Sequence, residues 1–244
     1  MQISLIAAAH RTKDWMAFYN SIHTNLQFEV IFVGEKNPDF ELPFNFHYIY
    51  SPVKPAQCAE IALRKAKGEV ISWTADDAEY GPFALDKAYE MYKAENNYKC
   101  MISFRIMEQA MNGIIYDRTD VHYCCGLKAV PFGFISKQFI DEIGGYDINF
   151  IAGQCENDMI LRGWVAGGYV KVCDEAKLYN LENKHALIER NFQPSRPYEQ
   201  KFIQDLWADK DGKFTGTRIT ALEPFKNENL LTVNQGPAGI WDKI

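Results

Sequence analysis

The sequence predicts a single-domain α/β fold, a mostly parallel central sheet flanked by helices. Three observations carry this. Apolar strand-like runs alternate with helical patterns from Ile3 to Trp73 in the order strand, helix, strand, strand, helix, strand. Polar residues follow the ends of those strands: Arg11, Glu35, Lys54 and Asp76-Asp77. In parallel sheets ligands bind outside the carboxyl ends of the strands, so these residues should gather along one edge.

Each element has its own signal. Ile3 to Ala9 is a continuous apolar run and reads as a buried strand. Thr12 is placed to cap a helix on which Trp15, Phe18, Tyr19 and Ile22 recur at helical spacing. Phe28–Val33 is a second buried strand, ended by Gly34, and Phe46–Tyr50 a third. Pro55–Lys67 is a helix stopped by Gly68, and Glu69–Trp73 is the fourth strand. After Pro82 a helix carries Phe83, Leu85, Ala88, Tyr89 and Tyr92, followed by a strand near Cys100–Phe104. Asn112-Gly113 suggests a hairpin. Helices are expected over Ser136–Ile143, before Gly144-Gly145, and over Glu156–Val165, before Gly167-Gly168. Val170–Val172 and Ala176–Tyr179 read as short strands, and Pro197–Ala208 as a last helix. No internal repeat or linker interrupts the chain, so residues 1–210 are expected to form the domain. Residues 211–244 are expected to form an extension near the acceptor side.

Composition excludes several classes. With 244 residues and 47% hydrophobic content, the chain can bury a full core without disulfides or structural metals. A net charge of -6 disfavours binding to a nucleic-acid backbone or an anionic membrane. No apolar run is long enough to span a bilayer, and no leader-like segment precedes the first strand. Six scattered cysteines without a CxxC pair suit reduced thiols in a cytoplasm. Cys124-Cys125 reads as two strand residues facing opposite sides.

Three clusters bear on chemistry. Asp76-Asp77, in "SWTADDAEYGP", could hold a hard divalent cation and a ribose hydroxyl. Taken alone, the doublet reads more simply as acids at a helix start. In "AGQCENDMILRGWVAGGY", Glu156 and Asp158 open a helix, and Asp158 is spaced to pair with Arg162. Glu156 lies on another part of the helix and could accept a proton from a hydroxyl. Acids in a first turn also stabilise a helix without any chemistry. Gly144-Gly145-Tyr146-Asp147 reads as a turn.

The order of these pieces is more specific than any one of them. "KGEVISWTADDAEYGP", "FISKQFIDEIGGYD" and "ENDMILRGWVAGG" together resemble the nucleotide-sugar glycosyltransferases of the GT-A (Rossmann-like) fold, in particular the large inverting family 2. The resemblance covers roughly Ile3 to Tyr179. It implies a nucleotide diphosphate sugar donor, UDP-linked by expectation, a glycan or other hydroxyl acceptor, and Mn2+ or Mg2+ as cofactor. By resemblance, Asp77 binds the metal and Asp76 touches the ribose or the sugar. Ala9, His10 and Arg11 form the first nucleotide-contacting loop, Glu35 reads the base, and Lys54 and Gln57 lie beside the nucleotide. Glu156 falls at the position of the catalytic base, with Asp158 the alternative, and His185 is a candidate metal ligand.

The chain departs from the family pattern at Ala75, where many relatives carry another Asp, and at Ala59-Glu60, where an Arg-Asn pair is common. Those departures, with that at Asn157, leave a non-catalytic nucleotide-sugar or glycan binding module as one alternative. A sugar nucleotidyltransferase is another, although "AAAHRTKDW" lacks the glycine-rich loop of that class. A nucleic-acid base as acceptor is left open. The residues from Arg105 to Val130, with Met107, Met111, Tyr116, His122 and Tyr123, and the tail with Trp241, are expected on the acceptor side.

Overall fold

The structure, a computed structural model, describes residues 1–109, 113–180 and 195–216. Among them the chain runs β1 (Ile3–Ala8), α1 (Trp15–Ser21), β2 (Phe28–Gly34), β3 (Phe46–Tyr50), α2 (Pro55–Lys65), β4 (Val70–Trp73), β5 (Ala78–Tyr80) and α3 (Ala84–Glu95). It continues through β6 (Cys100–Gln109), β7 (Ile115–Asp117), β8 (Tyr123–Cys124), β9 (Leu127–Lys128), β10 (Gly133–Ser136), α4 (Lys137–Ile143), α5 (Cys155–Val165), β11 (Tyr169–Asn180) and α6 (Arg196–Trp207).

A nine-stranded sheet has the order β3-β2-β1-β4-β10-β6-β11-β5, with β7 added on β6. The expected parallel run is the β3-β2-β1-β4 half. β10 is antiparallel to both β4 and β6 and joins that half to β6 and β11, which are parallel to each other. Both faces of β1, β2 and β4 are covered, which is why these strands are mostly apolar rather than alternating, with Ser4, Glu29 and Ser72 as buried polar exceptions. Ile3, Leu5 and Ala7 enter the core that packs under α1 and α3, while Ile6 enters the core under α2, α5 and α6.

Two glycines mark close backbone approaches. A Cβ on Gly34 would stand 1.8 Å from the Ala9 carbonyl oxygen, so only glycine lets β2 end against the first loop. A Cβ on Gly68 would stand 2.4 Å from the Ser4 backbone nitrogen. There the Lys67 and Gly68 N–H groups donate to the Ser4 hydroxyl, and the Lys67 N–H also donates to buried Glu29 at 2.8 Å. The "KGE" part of the motif therefore ties α2 to the amino-terminal ends of β1 and β2.

Several expectations change. Thr12 does not cap α1: it opens a 3-10 turn, Thr12–Asp14, and the helix begins after Asp14 without a side-chain cap. The two short strands near the end are one, β11, bulged between Cys173 and Lys177 where its register on β6 shifts. β10 is not among the expected strands, and it fills the centre of the sheet. The hairpin lies where expected, with Gln109 opposite Ile115, although Asn112 is outside the described residues. Cys124 and Cys125 do not face opposite sides. Cys125 sits in the β8–β9 turn at φ 50°, and the two sulfurs are 3.9 Å apart. Met111, His185, Trp241 and most of the expected extension also lie outside the described residues. Among the described residues, no helix is long and apolar enough to cross a membrane.

Candidate functional site

The ends of β1, β2 and β4 meet as parallel topology requires. Asp76 follows β4 and is 1% exposed. Its Oδ2 accepts the backbone N–H groups of His10 and Arg11, both at 2.6 Å, and a long contact from the Trp15 indole at 3.4 Å. Its Oδ1 pairs with the Arg11 guanidinium. Asp76 thus clasps the first loop, and both oxygens are already engaged. A helix cap is excluded for the doublet, because β5 follows it and α3 starts only at Ala84. Asp77 is less buried, with its Oδ2 3.1 Å from Arg11 Nη2. Burial raises the Asp77 pKa, opposed by the Arg11 charge and reinforced by Asp76.

A cavity of about 360 Å³ opens beside this clasp. Ala9, His10, Arg11, Glu35 and Asp76 line it together with Glu156. His10 Nδ1 lies 3.3 Å from the Glu35 carboxylate, which is largely exposed. The lining also includes Pro131, Phe132, Tyr146, Ala152 and Cys155, none singled out by sequence reasoning as a site residue. Their common signal is position: they precede β10 or surround the glycine-rich turn before α5.

That turn is held by charge. Arg162 donates to the carbonyls of Ile143 (2.5 Å), Gly144 (2.8 Å) and Gly145 (2.5 Å). Asp158 orients Arg162 through Nε at 3.0 Å and accepts the Trp207 indole N–H at 2.8 Å. Asp158 is fully buried and does not line the cavity; its contacts run to Arg162 and Trp207. On the other side of the turn, buried Glu60 accepts the Tyr146 N–H at 2.8 Å and pairs with Arg64 at 2.8 Å. The departure at Ala59-Glu60 therefore has a structural use.

Burial pushes the Glu60 pKa up to about 6, against the opposing hydrogen bonds from Arg64 and Tyr146. A carboxyl raised in the folded state contributes stability below its unfolded pKa and loses it as pH rises through the folded value. The expected result is a loss of about 2 kcal/mol between pH ~4.5 and ~6 relative to Glu60→Gln, from 1.36 kcal/mol per pKa unit. Urea melts of both proteins across that range check it; parallel pH profiles would contradict it.

Glu156 sits in the first turn of α5, partly exposed to the cavity. Cys155 Sγ lies 3.2 Å from its Oε2 and acts as the donor, since burial holds that thiol protonated. Burial also raises the Glu156 pKa, with Glu199 adding to the shift while the backbone N–H and the Cys155 thiol oppose it. A carboxylate so raised is a better proton acceptor near neutral pH.

Three expected donor- or metal-site residues, Lys54, Gln57 and Asp77, do not line the cavity. Lys54 and Gln57 are 0% exposed and do not line the cavity, because α2 begins at Pro55 and its first turn packs inward. The Lys54 Nζ has no hydrogen-bond partner among the described residues, and burial lowers its pKa to about 8 despite the nearby charges of Asp147 and Glu199. The Asp77 carboxylate has the hard-oxygen chemistry a divalent cation prefers. Among the described residues no group of three metal-ligating side chains stands with it.

This arrangement, a parallel half-sheet whose carboxyl edge meets an antiparallel strand and an acidic helix start, is the GT-A fold. By sequence, no established family profile matches the chain, and no curated protein is recognisably similar. Solved structures are similar in fold. GalNAc-T7, solved with UDP, GalNAc and Mn2+, superposes with a TM-score of 0.64 over 86% of this chain at 13% identity. S. aureus TarS 1-349, in complex with UDP-GlcNAc, gives 0.64 over 86% of this chain and 68% of its own, at 14% identity. The chain spans about half, 48%, of the GalNAc-T7 chain it matches.

Proposed function

We propose that this protein is an inverting glycosyltransferase that moves a sugar from a UDP-sugar to an acceptor hydroxyl. One observation carries the reading: the loop clasped by Asp76 and the Glu156 carboxylate line the same cavity. The fold neighbours solved with UDP or a UDP-sugar support it.

In this reading Ala9, His10, Arg11 and Glu35 hold the nucleotide along the carboxyl edge of β1 and β2. Asp76 keeps the loop in shape from beneath. Asp77, which now pairs with Arg11, would hold Mn2+ or Mg2+. When bound, the cation offsets charge on the departing diphosphate. Glu156 removes the proton from the acceptor hydroxyl, whose oxygen forms the new bond to the anomeric carbon on the face opposite the diphosphate. The bond to the diphosphate breaks, and the configuration inverts. The Cys155 thiol and the carbonyl-clamped turn hold Glu156 and Tyr146 around the reacting centre.

Calorimetric titration with UDP and GDP, each with and without Mn2+, tests the donor site. The expected result is Mn2+-dependent binding of UDP that is weakened at least about tenfold in Asp77→Ala, as removal of a first metal ligand implies. Equal affinity in wild type and variant would remove Asp77 from the metal site. Nucleotide binding without turnover against an acceptor panel would instead identify a non-catalytic binding module.

A further inference from the structure

The loop in front of Glu156 is held by a residue outside every sequence motif. Glu199, on the first turn of α6, is 2% exposed. Its Oε1 accepts the backbone N–H groups of Ile151, Ala152 and Gly153, each at 2.9 Å, and its Oε2 accepts the Ser195 hydroxyl at 3.0 Å. Consecutive N–H groups converging on one point form an anion-binding nest. Here the chain fills the nest with its own carboxylate.

The nest is continuous with the site. Ala152 lines the cavity, and the Ile151 carbonyl accepts the Ala56 N–H at 3.0 Å, tying the loop to α2. Gln154 then turns the chain at φ 62°, and α5 begins with Cys155 and Glu156. The far end of α6 makes a second tie, from the Trp207 indole to Asp158. The two ties straddle Glu156, so α6 fixes the helix start on both sides of it. Without Glu199, three N–H groups would lose their shared acceptor, and the loop would be free to move the first turn of α5.

We propose that Glu199 is a positioning residue for Glu156, fixing the Ile151–Gly153 loop and thereby setting where that carboxylate points in the cavity. The proposal rests on the reading of Glu156 as the base. Charge supports it as well as geometry. Among the described residues, the ionisable groups that act on Glu156 are Cys155 on its own helix, Tyr146 from the turn before α5, Cys124 from β8 and Glu199 from α6. Of these, Glu199 is the carboxylate whose like charge favours a protonated Glu156.

Two variants separate the contributions. Glu199→Gln keeps the shape and an oxygen for the three N–H groups but removes the charge. Glu199→Ala removes the acceptor. The measurements are UDP affinity, kcat and donor KM for transfer, the pH profile of kcat/KM, and amide exchange at residues 151–153. Glu199→Ala is expected to lower kcat on the order of 10²-fold, the effect of a small misplacement of a reacting group. Its UDP affinity and donor KM should stay within about twofold, because the effect falls on the transition state. Exchange at residues 151–153 should speed up while the central strands keep wild-type protection. Glu199→Gln is expected to retain most of kcat and to move the acid limb of kcat/KM to lower pH.

Wild-type kcat in Glu199→Ala, or an unmoved acid limb in Glu199→Gln, overturns the proposal. Should Glu199→Ala fail to fold, kcat and amide exchange at residues 151–153 in Glu199→Asp, which keeps the charge but shortens the reach to the three N–H groups, decide: wild-type values of both overturn the proposal. Full activity in Glu156→Gln would overturn the base assignment itself, an outcome distinct from normal behaviour of the Glu199 variants alone.

Discussion

Glu156→Gln is expected to reduce transfer by about 10²–10⁴-fold, the usual contribution of a positioned general base. The substitution keeps side-chain shape and the contact with Cys155 Sγ, which stands 3.2 Å from Oε2 in the native protein. Donor affinity should be almost unchanged, because Ala9, His10, Arg11 and Glu35, the proposed nucleotide contacts, lie in the loops after β1 and β2 and not on α5. Burial raises the Glu156 pKa, so the acid limb of wild-type kcat/KM should lie above the ordinary carboxylate range and disappear from the residual activity of the variant. Steady-state kinetics from pH 4 to 9, with parallel UDP titrations, test both parts. Lost donor binding in Glu156→Gln would give the residue a structural role.

Asp158→Ala is expected to act on stability first. Asp158 is fully buried and accepts from Arg162 Nε and from the Trp207 indole. Its removal leaves a guanidinium, only 10% exposed, without its carboxylate, and an indole N–H without its acceptor. Breaking a buried pair from one side costs about 3–5 kcal/mol. Arg162 also carries the carbonyls of Ile143, Gly144 and Gly145, so the turn that places Tyr146 should loosen at the same time. Urea unfolding gives the stability change, and activity measured well below the unfolding midpoint should survive in part. The opposite pattern, native stability with activity abolished, would return the base role to Asp158.

Physical reasons separate what was legible in the sequence from what was not. The parallel half-sheet was legible because β1, β2 and β4 are mostly apolar runs buried on both faces, and because glycine and proline mark the helix ends. So was the placement of Arg11, Glu35 and Asp76 at one edge, since parallel topology brings strand ends together whatever the side chains are. The spacing of Asp158 and Arg162 foretold their pairing, as residues four apart on a helix must be neighbours.

Other features were decided only by tertiary packing. Lys54 follows a strand as a donor-site lysine would, yet it is fully buried because the first turn of α2 packs inward. Asp76 has its oxygens taken by His10, Arg11 and Trp15, contacts made across more than sixty residues of sequence. β10 is short and central, and nothing local distinguishes four buried residues in a strand from four in a loop. The hold of Glu199 on the loop before Glu156 crosses 46 to 48 residues. Backbone N–H groups carry no sequence signature. The sequence by itself therefore determined the parallel strands β1 to β4, the edge on which the polar residues meet and the helix that carries Glu156. Only the folded chain decided which of those acids stay open to the cavity and which are spent holding the backbone around it.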